Sequence, residues 1–105
     1  MTRPANQARG EARLVVGGEA LLLRPTFAAL VATEEELGPL FALVERAARG
    51  DLGLGEMASL FWHCAAERPA ACTRERIGEA LAQIGLAKAT PVLKILLTQI
   101  LQGRV

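Results

Sequence analysis

Aromatic residues are scarce in this chain: Phe27, Phe41, Phe61 and Trp62 make up the whole set, and tyrosine is absent. The core of one domain's worth of chain must therefore come mostly from Leu, Ala, Val and Ile, a composition that favours helices. Histidine occurs once, at His63, and cysteine twice, at Cys64 and Cys72. Those three side chains lack the short paired spacing of a structural zinc site, so no metal and no cofactor is expected. Charge of one sign is lacking too. The formal net charge is +1 and Arg and Glu are interspersed, with no basic block to follow a phosphate backbone. Nucleic acid is therefore not expected as a partner.

Long hydrophobic runs are also missing. The longest nearly charge-free stretch, 89–101, is too short to span a bilayer and carries Lys94. The opening MTRPANQARG has no apolar segment of a secretory signal, so a cytosolic protein with reduced thiols and no membrane contact is expected. That same opening has no apolar periodicity, and a flexible tail is expected over 1–10, followed by one small domain over 11–103.

From Glu11 the pattern becomes strand-like. EARLVV and EALLLR flank Gly17-Gly18, a two-residue hairpin turn that tolerates positive φ at both positions. The turn sets the register arithmetically: Val16 pairs with Glu19, Val15 with Ala20, Leu14 with Leu21, Arg13 with Leu22, Ala12 with Leu23, and Glu11 with Arg24. One face then gathers Ala12, Leu14, Val16, Leu21 and Leu23, and slipping the register by one residue would mix the faces. A hairpin over 11–24 is predicted. Two strands alone are marginal in water and need a cover.

The next stretch, TFAALVATEEELG, changes period. Phe27, Leu30, Val31 and Leu37 recur at helical spacing, Thr26 suits an N-cap, and Gly38-Pro39 suits a stop. A helix over 26–37 is predicted, serving as the lid on the hairpin's apolar face. Further helices are predicted over 40–49 (Leu40, Leu43, Val44, Ala47), 56–67 (Met57, Leu60, Phe61, Cys64), 74–84 (Ile77, Ala80, Leu81, Ile84) and 91–102. Thr73 suits the N-cap of the fourth. The last is placed to start at Thr90-Pro91, because proline at the first helical position loses no hydrogen bond. The fold class is thus α+β and predominantly helical: an N-terminal two-stranded β-hairpin followed by four to five short helices in one domain.

No catalytic set emerges. Ser59 and His63 lie one turn apart, but no nucleophile elbow or oxyanion hole accompanies them. The glycine-rich connector 51–55 lacks the Gly-Lys-Ser/Thr ending of a phosphate loop. No enzyme activity and no small-molecule substrate are expected. The informative residues are those left over from core patterns. Val15 and Leu22 fall on the hairpin's outer face, and Trp62 lies off its helix's apolar stripe, where aromatics mark partner surfaces. Glu35 and Glu36, with Glu34, crowd the end of a helix, where the dipole disfavours anions. Leu93, Leu97 and Leu101 lie on a broad apolar face with Leu96 and Ile100. These eight residues (Val15, Leu22, Glu35, Glu36, Trp62, Leu93, Leu97, Leu101) form the expected partner-binding set.

The order of a short hairpin, then L-x-P-T-x-x-A-L-x-x-x-E-x-x-L-G, then four small helices resembles the gene-transfer-agent family of small phage-tail proteins. The resemblance rests on Gly17, Gly18, Leu23, Thr26, Ala29, Leu30, Glu34, Leu37 and Gly38, with a weaker echo over 47–60. Cys64, Cys72 and the 68–72 loop depart from the commoner family pattern. The resemblance implies a non-catalytic role in virion assembly. Its first form is a phage tail assembly chaperone that binds the helical tape-measure protein or another tail protein. The alternative it implies is a structural, tail-tube-like component that self-associates.

Overall fold

The computed structural model describes residues 11–69 and 72–102. The predicted tail over 1–10 lies outside the described residues, as do residues 70–71 of the loop after the third helix and the predicted domain end at 103. Two antiparallel strands, β1 (Ala12–Val16) and β2 (Glu19–Leu23), open the fold. Their register runs from Ala12↔Leu23 to Val16↔Glu19, pair for pair as the turn arithmetic requires. Gly17 and Gly18 take φ of 59° and 83°, a left-handed pair that only glycine adopts without strain. Ala12, Leu14, Val16, Leu21 and Leu23 are buried, whereas Arg13 and Val15 face solvent. Beyond the ladder, Arg24 Nε lies 3.0 Å from the buried Glu11 carboxylate.

The two edges of this small sheet differ. On β2, the Arg24 N–H donates to the Cys64 carbonyl (2.7 Å), the Ala66 N–H donates to the Leu22 carbonyl (2.9 Å), and Leu23 bridges Ala65. Backbone polar groups lose free energy when buried unpaired, so this clamp satisfies the inner edge. It also fixes parity. Leu22 and Arg24 turn their main-chain groups away from β1, so their cross-strand partners on β1 turn theirs away from β2. The N–H and C=O groups of Arg13 and Val15 accordingly point outward and find no hydrogen-bond partner among the described residues.

Five helices follow: α1 (Phe27–Leu37), α2 (Leu40–Ala48), α3 (Leu54–Cys64), α4 (Arg74–Ile84) and α5 (Leu86–Gln102). The α+β hairpin-plus-helices class stands. The ends of α1 are as predicted: Thr26 Oγ1 accepts the Ala29 N–H (3.1 Å), and Gly38, at φ 96°, returns its N–H to Glu34 (2.9 Å). Its buried face is not. Phe27 is 84% exposed, and the residues it buries are Ala29 and Thr33. The Thr33 hydroxyl donates to the Ala29 carbonyl (2.8 Å), which lets a polar residue sit fully enclosed.

Nor is α1 the lid of the hairpin. It packs chiefly on α3, while α4 and α5 lie against β1. The reason is the clamp: with Arg24 tied to Cys64, the chain leaves β2 beside α3, and two small side chains let α1 settle there. The clamp also ends α3 at Cys64 rather than at 67, because Ala65 must be extended to pair with Leu23. At its other end α3 begins at Leu54, since Glu56 in its first turn reaches back to the Gly53 N–H (3.0 Å).

Helix α4 starts on Thr73, whose Oγ1 accepts the Arg76 N–H (3.2 Å), and stops at Gly85 (φ 88°). Helix α5 begins at Leu86, a full turn before the predicted 91, and carries Pro91 inside it. Proline there removes one helical hydrogen bond. Burial of Ala89 within the core, its N–H bond to Gly85 (3.2 Å) and a Thr90 hydroxyl bond to Leu86 (2.8 Å) hold the first turn in place.

Truncation at two sites separates core from surface. Leu23→Ala, at a fully enclosed side chain, should destabilise the chain by about 2–5 kcal/mol in urea unfolding. Phe27→Ala should stay within about 0.5 kcal/mol of the parent, the reverse of what an α1 lid would give.

Candidate functional site

The acidic end of α1 is the most connected polar feature. Its three carboxylates separate in role. Glu35 is exposed, and Glu34 accepts the Leu40 N–H at the start of α2 (3.1 Å). Glu36 turns toward α3 and α4. Its Oε2 accepts from the Ser59 hydroxyl (2.9 Å) and from Arg74 Nη1 (2.6 Å), and its Oε1 lies 2.8 Å from His63 Nε2. The His63 contact is the main reason the Glu36 carboxyl sits below its ordinary value of 4.5; Ser59 and Arg74 add to it and partial burial opposes it.

This arrangement defines what Ser59 and His63 can do. An ionised carboxylate only accepts, so the imidazole proton facing Glu36 is on Nε2. The hydroxyl proton of Ser59 is likewise given to Glu36. Both groups are spent on one carboxylate, and neither is poised to activate the other as a nucleophile and base would be. Ser59 is also buried mid-helix, where the surrounding amides serve the helix rather than an oxyanion. The cluster joins α1, α3 and α4.

A second junction ties α2 to α3. Arg46 Nη2 meets Glu56 Oε1 at 2.5 Å, and that bond, with the Gly53 N–H, holds the Glu56 carboxyl below its ordinary value. Beside it lies a shallow apolar crevice of about 10 Å³, lined by Leu40, Leu43, Val44, Leu60, Leu97 and Ile100 among others. Among the described residues no group of His, Cys, Asp and Glu is placed to hold a metal ion. Cys64 and Cys72 are free, buried thiols; burial pushes Cys64 up to about 12, which suppresses the reactive thiolate.

The predicted partner residues scatter over several surfaces. Val15 is 57% exposed on β1, Leu22 half-buried on β2, Glu35 exposed and Glu36 in the cluster above. Trp62 is half-buried against the core, with the Arg68 guanidinium 3.9 Å from its ring centroid. Leu93 is buried among the core residues that α5 contributes, where it packs rather than facing solvent. Leu97 is half-buried and lines the crevice, and Leu101 is 54% exposed. Four exposed large apolar side chains were missed: Phe27, the 76%-exposed Phe41, Leu54 and Leu86. Phe41 was visible as a residue off its helix's predicted stripe, whereas Phe27 matched a stripe that does not face the core.

Fold and surface define a small α+β protein that presents exposed apolar side chains, a carboxylate-centred junction and, among the described residues, one strand edge without main-chain partners. Comparison with protein families matches residues 9–103 to the family described as phage tail tube protein, GTA-gp10, and the chain belongs to that family of phage tail proteins. No curated protein and no solved structure matches it. No helix among the described residues is long and apolar enough to cross a membrane.

Replacing Glu36 tests the junction. Because its folded value is lowered, the carboxylate stabilises the fold above the unfolded value and loses that effect as pH falls through the lower folded one. Glu36→Gln should therefore lower the unfolding free energy measured in urea at neutral pH, by about 1 kcal/mol or less for so exposed a pair. The gap between parent and variant should close as pH drops below 4.5.

Proposed function

We propose that this chain is a structural component of a phage-type or gene-transfer-particle tail that acts by associating with copies of itself. The observation that carries this reading is the family match across 9–103, whose description names the tail tube. That wording favours the self-associating reading over the assembly chaperone that the sequence resemblance placed first. A tube is a repeat of one contact, and a surface patch that meets a different patch on the next copy gives rings or filaments. Exposed Phe27, Phe41, Val15 and Leu101 support a chain whose apolar surface is covered by assembly.

A second reading retains one specific observation. The described part of the chain holds only two strands, and an apolar crevice lies between α2, α3 and α5. An adaptor that keeps a helical tape-measure-type partner in solution would use such a groove. Co-expression with that partner separates the readings, since an adaptor raises the partner's solubility and a tube subunit leaves it unchanged.

Purified full-length chain, concentrated stepwise, should show a rising sedimentation coefficient and form rings or tubes in negative-stain electron microscopy. A chain that stays monomeric throughout contradicts the self-associating reading.

A further inference from the structure

The outward main-chain groups of Arg13 and Val15 point to a specific contact. We propose that β1 is a self-pairing edge: two copies join β1 to β1 antiparallel, making one four-stranded sheet in the order β2-β1-β1-β2. This rests on the self-associating reading and adds to it one closed two-fold contact, while the repeating contact of a ring or tube uses other surfaces.

The parity of the hairpin fixes which residues take part. Arg13 and Val15 carry the free N–H and C=O groups, and Ala12, Leu14 and Val16 spend theirs on β2. An antiparallel partner bonds this edge only when its own outward residues stand opposite these. The two-fold register centred on Leu14 does so. It sets Arg13 against the second copy's Val15 and Val15 against its Arg13, for four main-chain hydrogen bonds. The same register places buried Leu14 opposite Leu14, so the apolar face of Ala12, Leu14 and Val16 continues across the boundary.

Charge disfavours the neighbouring register centred on Arg13. Shifting the centre to Arg13 puts two guanidinium groups directly opposite, which is unfavourable between strands. A charged residue on an exposed strand commonly blocks edge pairing. Centred on Leu14, Arg13 faces an exposed valine instead and blocks nothing. The second edge cannot compete, because residues 64–66 already occupy β2. A five-residue edge alone buries little, so the contact is weak in dilute solution and gains strength where other surfaces hold the copies together.

The register makes an unusual prediction for one site. Val15→Glu sets a carboxylate opposite Arg13 of the second copy and should tighten self-association roughly threefold to tenfold; Val15→Lys sets like charges opposite and should weaken it by a similar factor. Both changes remove the same apolar side chain from an exposed position, so equal urea midpoints for parent and variants confirm that folding is untouched. Sedimentation equilibrium of the full chain reads the effect. In a mixture of isotope-labelled and unlabelled chains, a contact between Leu14 α-protons of different copies should appear on association. If the chain associates but the two substitutions act in the same direction, or the Leu14 contact is missing, β1 pairing is wrong while self-association stands. If no association occurs at any concentration, the functional reading falls and this contact with it.

Discussion

The clamp between β2 and residues 64–66 is the constraint on which the rest of the architecture depends. A two-stranded hairpin is marginal by itself, and here two main-chain hydrogen bonds attach it to the end of α3. Those bonds require Ala65 to be extended, which terminates α3, and they hold Arg24 beside α3, which directs α1 onto that helix. The apolar face of β1 is then left for α4 and α5. Remove the clamp and the hairpin could swing onto any of the helices. With it, the core of Leu23, Phe61, Ile77, Leu81 and Leu96 has one arrangement.

Local signals in the sequence were readable where the chemistry is local. A period of two around Gly17-Gly18 determines every strand pair, and Thr26 and Thr73 act as N-caps because a hydroxyl three residues from an amide needs nothing else. Misreadings occurred where a distant residue decides. The end of α3 depends on β2, some forty positions earlier in the chain (Leu23 to Ala65). The start of α5 depends on the burial of Ala89, which outweighs the proline signal. Helix α1 was read by its large apolar residues, yet close helix packing selected the small ones, Ala29 and Thr33.

The site followed the same division. Val15 was legible as an exposed apolar position from pattern alone. Leu93 was not, because every residue of a broad apolar helix face looks alike until the neighbouring elements show how much of it they cover. The role of Glu36 was invisible because Ser59, His63 and Arg74 come from two later helices. Glu34, Glu35 and Glu36, read as one cluster, divide between a helix start, solvent and a partly exposed junction. Membership of the tail family gives these surfaces a context, since a particle component is completed by its neighbours.

The central claim is the asymmetry of the sheet: one edge locked by main-chain bonds, the other open. Residue-resolved amide hydrogen exchange on the dilute chain tests it most directly. The account predicts strong protection at Arg24 and Ala66, whose N–H groups form the clamp, and fast exchange at Arg13 and Val15. Fast exchange at Arg24 and Ala66, or protection of Arg13 and Val15 equal to that of Leu14 in the dilute chain, would contradict it.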